Sequence, residues 1–298
     1  MLVSTYKKIG GGISNFMRCV LVSTVCVAAA IVSPGHGAVL YNNLFPNNLI
    51  AIATSPESPG KIEIEAGDDF LLNGPASITT AHFVGLIVPN AGITPTISEV
   101  VAEIYRVFPK DSNDPPSGNV PTRDNSPSDV AFDSRDSTAS GELTFTTSVL
   151  NPVFVALNSI QPGGIHPKPG NVTMGNGPLT GQEVQFDVTF TAPFGLPADH
   201  YFFVPQVGVT GGQFYWLSSS RPISGPGSTP FAPDLQAWTR DANLDPDWLR
   251  VGTDIIGGAT PPTFNTAFSL EGTVTPEPSG LILVVAGIGL ISLRRLVR

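Results

Sequence analysis

An all-β body folded as an antiparallel β-sandwich or jelly roll is what this sequence predicts, and three observations predict it. Apolar and polar residues alternate with period two over many short runs. Clusters of Asn, Gly, Pro and Asp separate those runs, drawing on 31 glycines and 29 prolines. No segment carries a sustained apolar stripe at helical spacing. Charged residues make up only 13% of the 298 positions, and the 17 phenylalanines outnumber 5 tyrosines and 3 tryptophans together. That mix suits a turn-rich extracellular β-protein better than a helical cytosolic enzyme.

In chain order, Lys7, Lys8 and Arg18 precede the charge-free run Cys19 to Val32, and Ser33-Pro34-Gly35-His36-Gly37-Ala38 follows with a helix breaker and small residues. This predicts a secretory signal peptide over residues 1–38, cut near Ala38, with Met17 as an alternative start. The body, residues 39–274, then supplies the strands. Ile62 and Ile64 alternate with Glu63 and Glu65, and Leu143, Phe145, Thr147 and Val149 with Thr144, Thr146 and Ser148. Val184, Phe186, Val188 and Phe190 alternate with Gln185, Asp187 and Thr189, the clearest half-buried strand of the chain. Tyr201, Phe203, Val207 and Val209 form another one-sided set, and Phe264, Phe268, Leu270 and Val274 a last one. Ser98 to Phe108 is apolar on both faces and predicts a central strand. About ten short strands in one sandwich is the expectation. Two long loops interrupt it, Pro109 to Gly141 and Pro222 to Leu235, of the kind that is functional or mobile in compact domains.

Without its basic ends the chain keeps 9 basic and 23 acidic residues, a net charge of −14. A body so acidic repels nucleic acid, and no nucleic-acid partner is expected. Both cysteines, Cys19 and Cys26, lie in the predicted signal segment. The body therefore has no disulfide, thiolate metal site or cysteine nucleophile, and its stability must come from core burial.

Candidate chemistry is sparse. Asp241, Asn243, Asp245 and Asp247 place oxygen ligands at alternate positions, as a Ca²⁺ loop does, and make calcium the one candidate cofactor. Pro246 stands where such a loop turns on glycine, and Gly252 where its bidentate glutamate belongs. Tyr215, Trp216, Trp238 and Trp248 are candidates for an aromatic platform that stacks sugars, against core packing as the ordinary role of such residues. His82, His166 and His200 lie far apart without a zinc spacing. No Gly-x-Ser-x-Gly marks a nucleophile, and position alone singles out no carboxylate pair, so no catalytic residue is nominated. A hydrolytic triad assembled by the fold stays open.

The C-terminus carries the sharpest signal. Pro276-Glu277-Pro278-Ser279 is stiffened by two prolines and can enter neither a helix nor a central strand. An apolar run follows, predicting a transmembrane helix over 279–293, and Arg294, Arg295 and Arg298 close the chain. Sixteen residues separate Glu277 from Arg294, roughly 24 Å of helix against a hydrocarbon core of about 30 Å. Snorkelling arginines close the gap, and their charge keeps that end in the cytoplasm. Residues 275–298 resemble the PEP-CTERM sorting signal of exported bacterial proteins. Ile104 to Asp111, Leu196 to Gln206 and Asp247 to Gly252 also look like segments of secreted domains that carry such a tail. The resemblance implies export through the general secretion machinery, transient residence in the inner membrane through the C-terminal helix, and processing by an exosortase. Delivery to the cell surface or to an exopolysaccharide matrix would follow, with the chain as substrate and not as enzyme. It assigns the body a structural or interaction role, beside which a carbohydrate-binding or adhesive module and a secreted hydrolase remain as alternatives.

Overall fold

Period-two alternation becomes two stacked antiparallel sheets in the computed structural model, which describes residues 37–113, 117–139, 141–165, 172–220 and 234–274. The signal segment up to His36, the sorting motif Pro276, Glu277, Pro278 and Ser279, the basic cluster Arg294, Arg295 and Arg298, and His166 lie outside the described residues.

Fifteen strands are present among the described residues: β1 Ala38–Asn42, β2 Pro46–Ala53, β3 Ile64–Leu72, β4 Ala76–Pro89, β5 Thr96–Arg106, β6 Asp133–Asp136, β7 Leu143–Ala156, β8 Ser159–Ile160, β9 Leu179–Leu196, β10 Asp199–Thr210, β11 Gly212–Ser219, β12 Trp238–Asp241, β13 Leu249–Arg250, β14 Asn265–Thr266 and β15 Phe268–Val274. Helical structure among them amounts to a 3₁₀ turn at Pro162–Gly164 and one π-type turn at Val251–Ile256. Among the described residues no helix is long and apolar enough to cross a membrane.

The nine-stranded sheet is organised on β4. One edge of β4 pairs with β9 from Ala76 to Ile87, and β9 in turn pairs with β7. The other edge forks: residues 76–83 pair with β15, which continues to β1, and residues 85–89 pair with β11, which continues to β2 and β8. The second sheet runs β13-β12-β3-β10-β5-β6. The chain crosses between the layers repeatedly. Its tightest crossing is at Gly211, whose φ of 75° joins β10 of one sheet to β11 of the other, a conformation that side chains disfavour.

Between the sheets lies an aromatic core. Phe83 stacks on Phe186 at 4.9 Å and meets Phe214 edge-on at 5.9 Å, and Phe268 stacks on Tyr41 at 4.4 Å and on Phe203 at 5.3 Å. Each such ring, fully buried, contributes about 1.5–3 kcal/mol from burial alone. β9 is as its alternation predicts, with Val184, Phe186, Val188 and Phe190 inward.

Four strands depart from the pattern. β3 and β10 are buried on both faces, because the loop after β5 and the segment around Trp248 fold over the outer side of their sheet. Tyr105, Phe202, Val204, Leu235, Trp238 and Trp248 make a second small core there. Ser98 to Phe108 lies between β10 and the short edge strand β6, paired along both edges as a central strand is, with Val100, Ala102 and Ile104 buried on its inner face, but its outer face carries Glu99 and Glu103 beside buried Tyr105. β7, conversely, is an edge strand whose residues from Thr146 to Leu150 are exposed on both faces.

Candidate functional site

The outer face of the six-stranded sheet holds the densest group of interacting charges in the described structure. Glu63 precedes β3, Glu65 lies on it, Glu103 and Tyr105 on β5, Gln206 on β10 and Arg240 on β12. Because β12, β3, β10 and β5 are neighbours in that order, residues of one parity converge. With Asp129, Val130, Ala131, Ala242 and Asp245 most of them line a cavity of about 330 Å³.

Arg240 is the pivot. Its Nε donates to Glu65, its Nη1 to Asp245 Oδ1 (2.7 Å) and the Asp129 carbonyl (3.0 Å), and its Nη2 to the Tyr105 hydroxyl oxygen (3.1 Å). Its guanidinium lies 4.4 Å from the centre of the Trp248 ring. Tyr105 donates its own proton to Glu65 Oε1 at 2.6 Å. Among the described residues neither Glu63 nor Glu103 is bonded by a cation: the Gln206 amide donates from Nε2 to both, at 3.0 and 3.2 Å, and the Tyr105 hydroxyl lies 3.5 Å from Glu103 Oε2. Gln206 is 1% exposed, and its Oε1 has no hydrogen-bond partner among the described residues.

Electrostatics follow from this imbalance. Burial, then the charges of Glu65 and Glu63, push the Glu103 carboxyl up to about 8, against a smaller downward pull from Arg240. Burial and Glu65 raise Glu63 as well. Burial also raises Tyr105, so it serves as a hydroxyl donor throughout the physiological range. At neutral pH the cavity thus presents a protonated Glu103 that both donates and accepts, beside acceptor oxygens of Glu63. That is chemistry for holding hydroxyl groups.

Of the residues singled out from sequence, Asp245 lines this cavity as a partner of Arg240 and Trp248 packs against the guanidinium, while the others lie elsewhere. Tyr215 and Trp216 are buried in β11, and Trp238 and Trp248 fill the second small core. None is more than 5% exposed, so no ring offers a face to a sugar, and the platform expectation gives way to packing. The oxygens of the Ca²⁺ candidate, residues 241–247, are engaged within the chain. Asp241 Oδ1 accepts the N–H groups of Asn243 and Leu244 at 3.0 and 3.1 Å, closing a turn. Asp245 is taken by Arg240, and buried Asp247 by Arg123 (3.0 Å) and Ser117. Asn243 is exposed at the turn. Among the described residues no group of three or more His, Cys, Asp or Glu side chains is placed to hold a metal ion.

A second feature was invisible in sequence. Asn42, Ser269, His82 and Asp187 stand in cross-strand register over β1, β15, β4 and β9, and all four line a shallow cavity of about 330 Å³ on the outer face of the nine-stranded sheet. His82 Nδ1 bonds Asp187 Oδ1 at 2.6 Å, and Gln185 Nε2 donates to the same oxygen at 2.6 Å. The order is that of a nucleophile, a base and its orienting acid. Backbone N–H groups of β15 and β4 are committed to the ladders, while Asn42 brings a side-chain amide to the same cavity.

The chain matches no protein-family model, no curated protein and no solved structure.

Proposed function

We propose that this chain is an exported bacterial protein of the cell surface or exopolysaccharide matrix, sorted and processed at its C-terminus by an exosortase. Its β-sandwich has a structural or interaction role. The observation that carries this reading is the order Pro276-Glu277-Pro278, apolar run, Arg294-Arg295-Arg298 at the end of the chain. A cysteine-free two-sheet body, stabilised by an aromatic core instead of disulfides, agrees with it. The test is replacement of Pro276, Glu277 and Pro278 by alanine in the producing organism. Full-length protein should then stay in the membrane fraction; release and shortening as in wild type would overturn the proposal.

A second reading, that the body binds carbohydrate, draws on the cavity between Glu63, Glu103 and Gln206. Carboxyl oxygens that no cation bonds among the described residues, next to a buried amide oxygen with no hydrogen-bond partner among them, suit a ligand rich in hydroxyl groups. Retention of the purified chain on the producer's own polysaccharide measures it. Glu63→Ala, which removes one acceptor from a half-buried position, should weaken retention about ten- to hundredfold while the chain stays folded, as its circular dichroism would show. Equal retention of both proteins would exclude this cavity.

A further inference from the structure

Sheet edges in this molecule are treated unequally. β6 ends one sheet with Asp133, Arg135 and Asp136 in four residues, and β13 and β8 are two residues long. β1 is five residues long. Short or charged edges are how soluble proteins prevent further pairing. β7 follows neither rule. It is fourteen residues long and, among the described residues, pairs only with β9. From Leu143 to Ile165 there is no Asp, Glu, Lys or Arg, in a body of net charge −14. Val149, Leu150, Val153 and Val155 are all exposed on it, Val153 to 65%.

Two further facts narrow the occupant. Leu143 to Val149 keeps an unbroken register with Phe190 to Val184, and irregularity begins only beyond Val149, next to Pro152. The flat part is therefore the seven residues Leu-Thr-Phe-Thr-Thr-Ser-Val, rich in strand formers. Laid antiparallel on itself about Thr146, this segment sets Leu143 opposite Val149, Thr144 opposite Ser148 and Thr146 opposite Thr146. Leu143 and Val149 then meet as apolar partners, Thr144 and Ser148 and the two Thr146 side chains as hydroxyls, and Phe145 faces Thr147 as an aromatic against a β-branched residue, the kinds of cross-strand pair that stabilise sheets. An uncharged edge also lets two strongly acidic bodies approach without repulsion where they touch.

We infer that β7 is a self-association edge: two copies of the chain pair β7 to β7 antiparallel about a two-fold axis at Thr146, joining their nine-stranded sheets into one. The contact is isologous, so it closes as a dimer and does not propagate. This goes beyond the sorting reading and does not depend on it.

Sedimentation velocity of the purified full chain in mild detergent, over a concentration series, provides the test. Wild type should show a monomer–dimer equilibrium. Thr146→Lys and Thr146→Glu each place like charges opposite one another at the axis and should each weaken dimerisation at least about tenfold. Mixing the two variants should restore a dimer, which a misfolded variant would not do. Ile93→Lys, at an exposed aliphatic residue in the turn before β5, should leave the equilibrium unchanged. A wild type that stays monomeric, a dimer indifferent to both variants, or a mixture no better associated than its components would each overturn the inference. So would a different protein occupying the edge of a monomeric chain.

Discussion

Arg240 and Glu65 show how a single ion pair can decide the conformation of a whole face. Both side chains are almost fully buried, and the guanidinium joins β12 to β3, to Tyr105 of β5 and to the loop carbonyl at Asp129. Removing one partner of such a pair leaves an uncompensated buried charge, a loss of about 3–5 kcal/mol. Arg240→Ala should lower stability by that amount in chemical denaturation. Arg240→Lys should recover only part of it, because an ammonium cannot reproduce the planar fork. Sequence gave little notice of this. The alternation Ile62-Glu63-Ile64-Glu65 predicts a dry isoleucine face and a wet glutamate face. Instead Ile62 is 43% exposed while Glu65 is buried. The partner that makes burial of Glu65 tolerable stands 175 residues away, and no local pattern carries that distance.

Among the elements, β4 bears a heavy constraint, since β9 pairs along one of its edges and β15 and β11 share the other. Gly85 sits on it at the point where one edge passes from β15 to β11. A Cβ there would run into the Phe214 ring and the Tyr215 carbonyl. Gly85→Ala should therefore destabilise by about 1–3 kcal/mol through overpacking, read as a lower denaturation midpoint, although alanine is ordinarily acceptable in a strand. Elements with one wet face, β9 above all, were legible from alternation. β3 and β10 were legible as strands but not as doubly buried ones. Their outer cover comes from the loop Pro109 to Gly141, whose Pro, Asn and Asp content signals turns and gives no sign of the buried Arg123–Asp129–Asp247 network that pins it down. The candidate cavity lies under that cover and was hidden for the same reason.

For the whole molecule, the buried carboxyls set an unusual response to pH. Burial raises Glu63, Asp68, Asp69, Glu99, Glu103 and Glu183. Asp199 alone among the shifted carboxyls goes down: burial would raise it, but Lys110 and the His200 N–H outweigh burial. A carboxyl raised in the folded state holds its proton there after the unfolded chain has lost it. The stability it contributes is complete below the ordinary value and is lost as pH rises through the folded one. For Glu103 that window runs from 4.5 to about 8. The thermal midpoint should fall across this window, and Glu103→Gln, which stays neutral, should flatten the decline. A midpoint that rises from acid to neutral pH would contradict the assignment.

One consequence of the pairing of β1 with β15 is mechanical. Ala38 lies opposite Gly272 and Asn42 opposite Ser269, so the described body begins and ends side by side on two antiparallel strands. Tension applied between those two ends would open the hydrogen bonds of this pair one after another, like a zipper, and not shear them together. A body gripped at both ends would peel from this corner first. One held at a single end would carry the load without entering that weak mode.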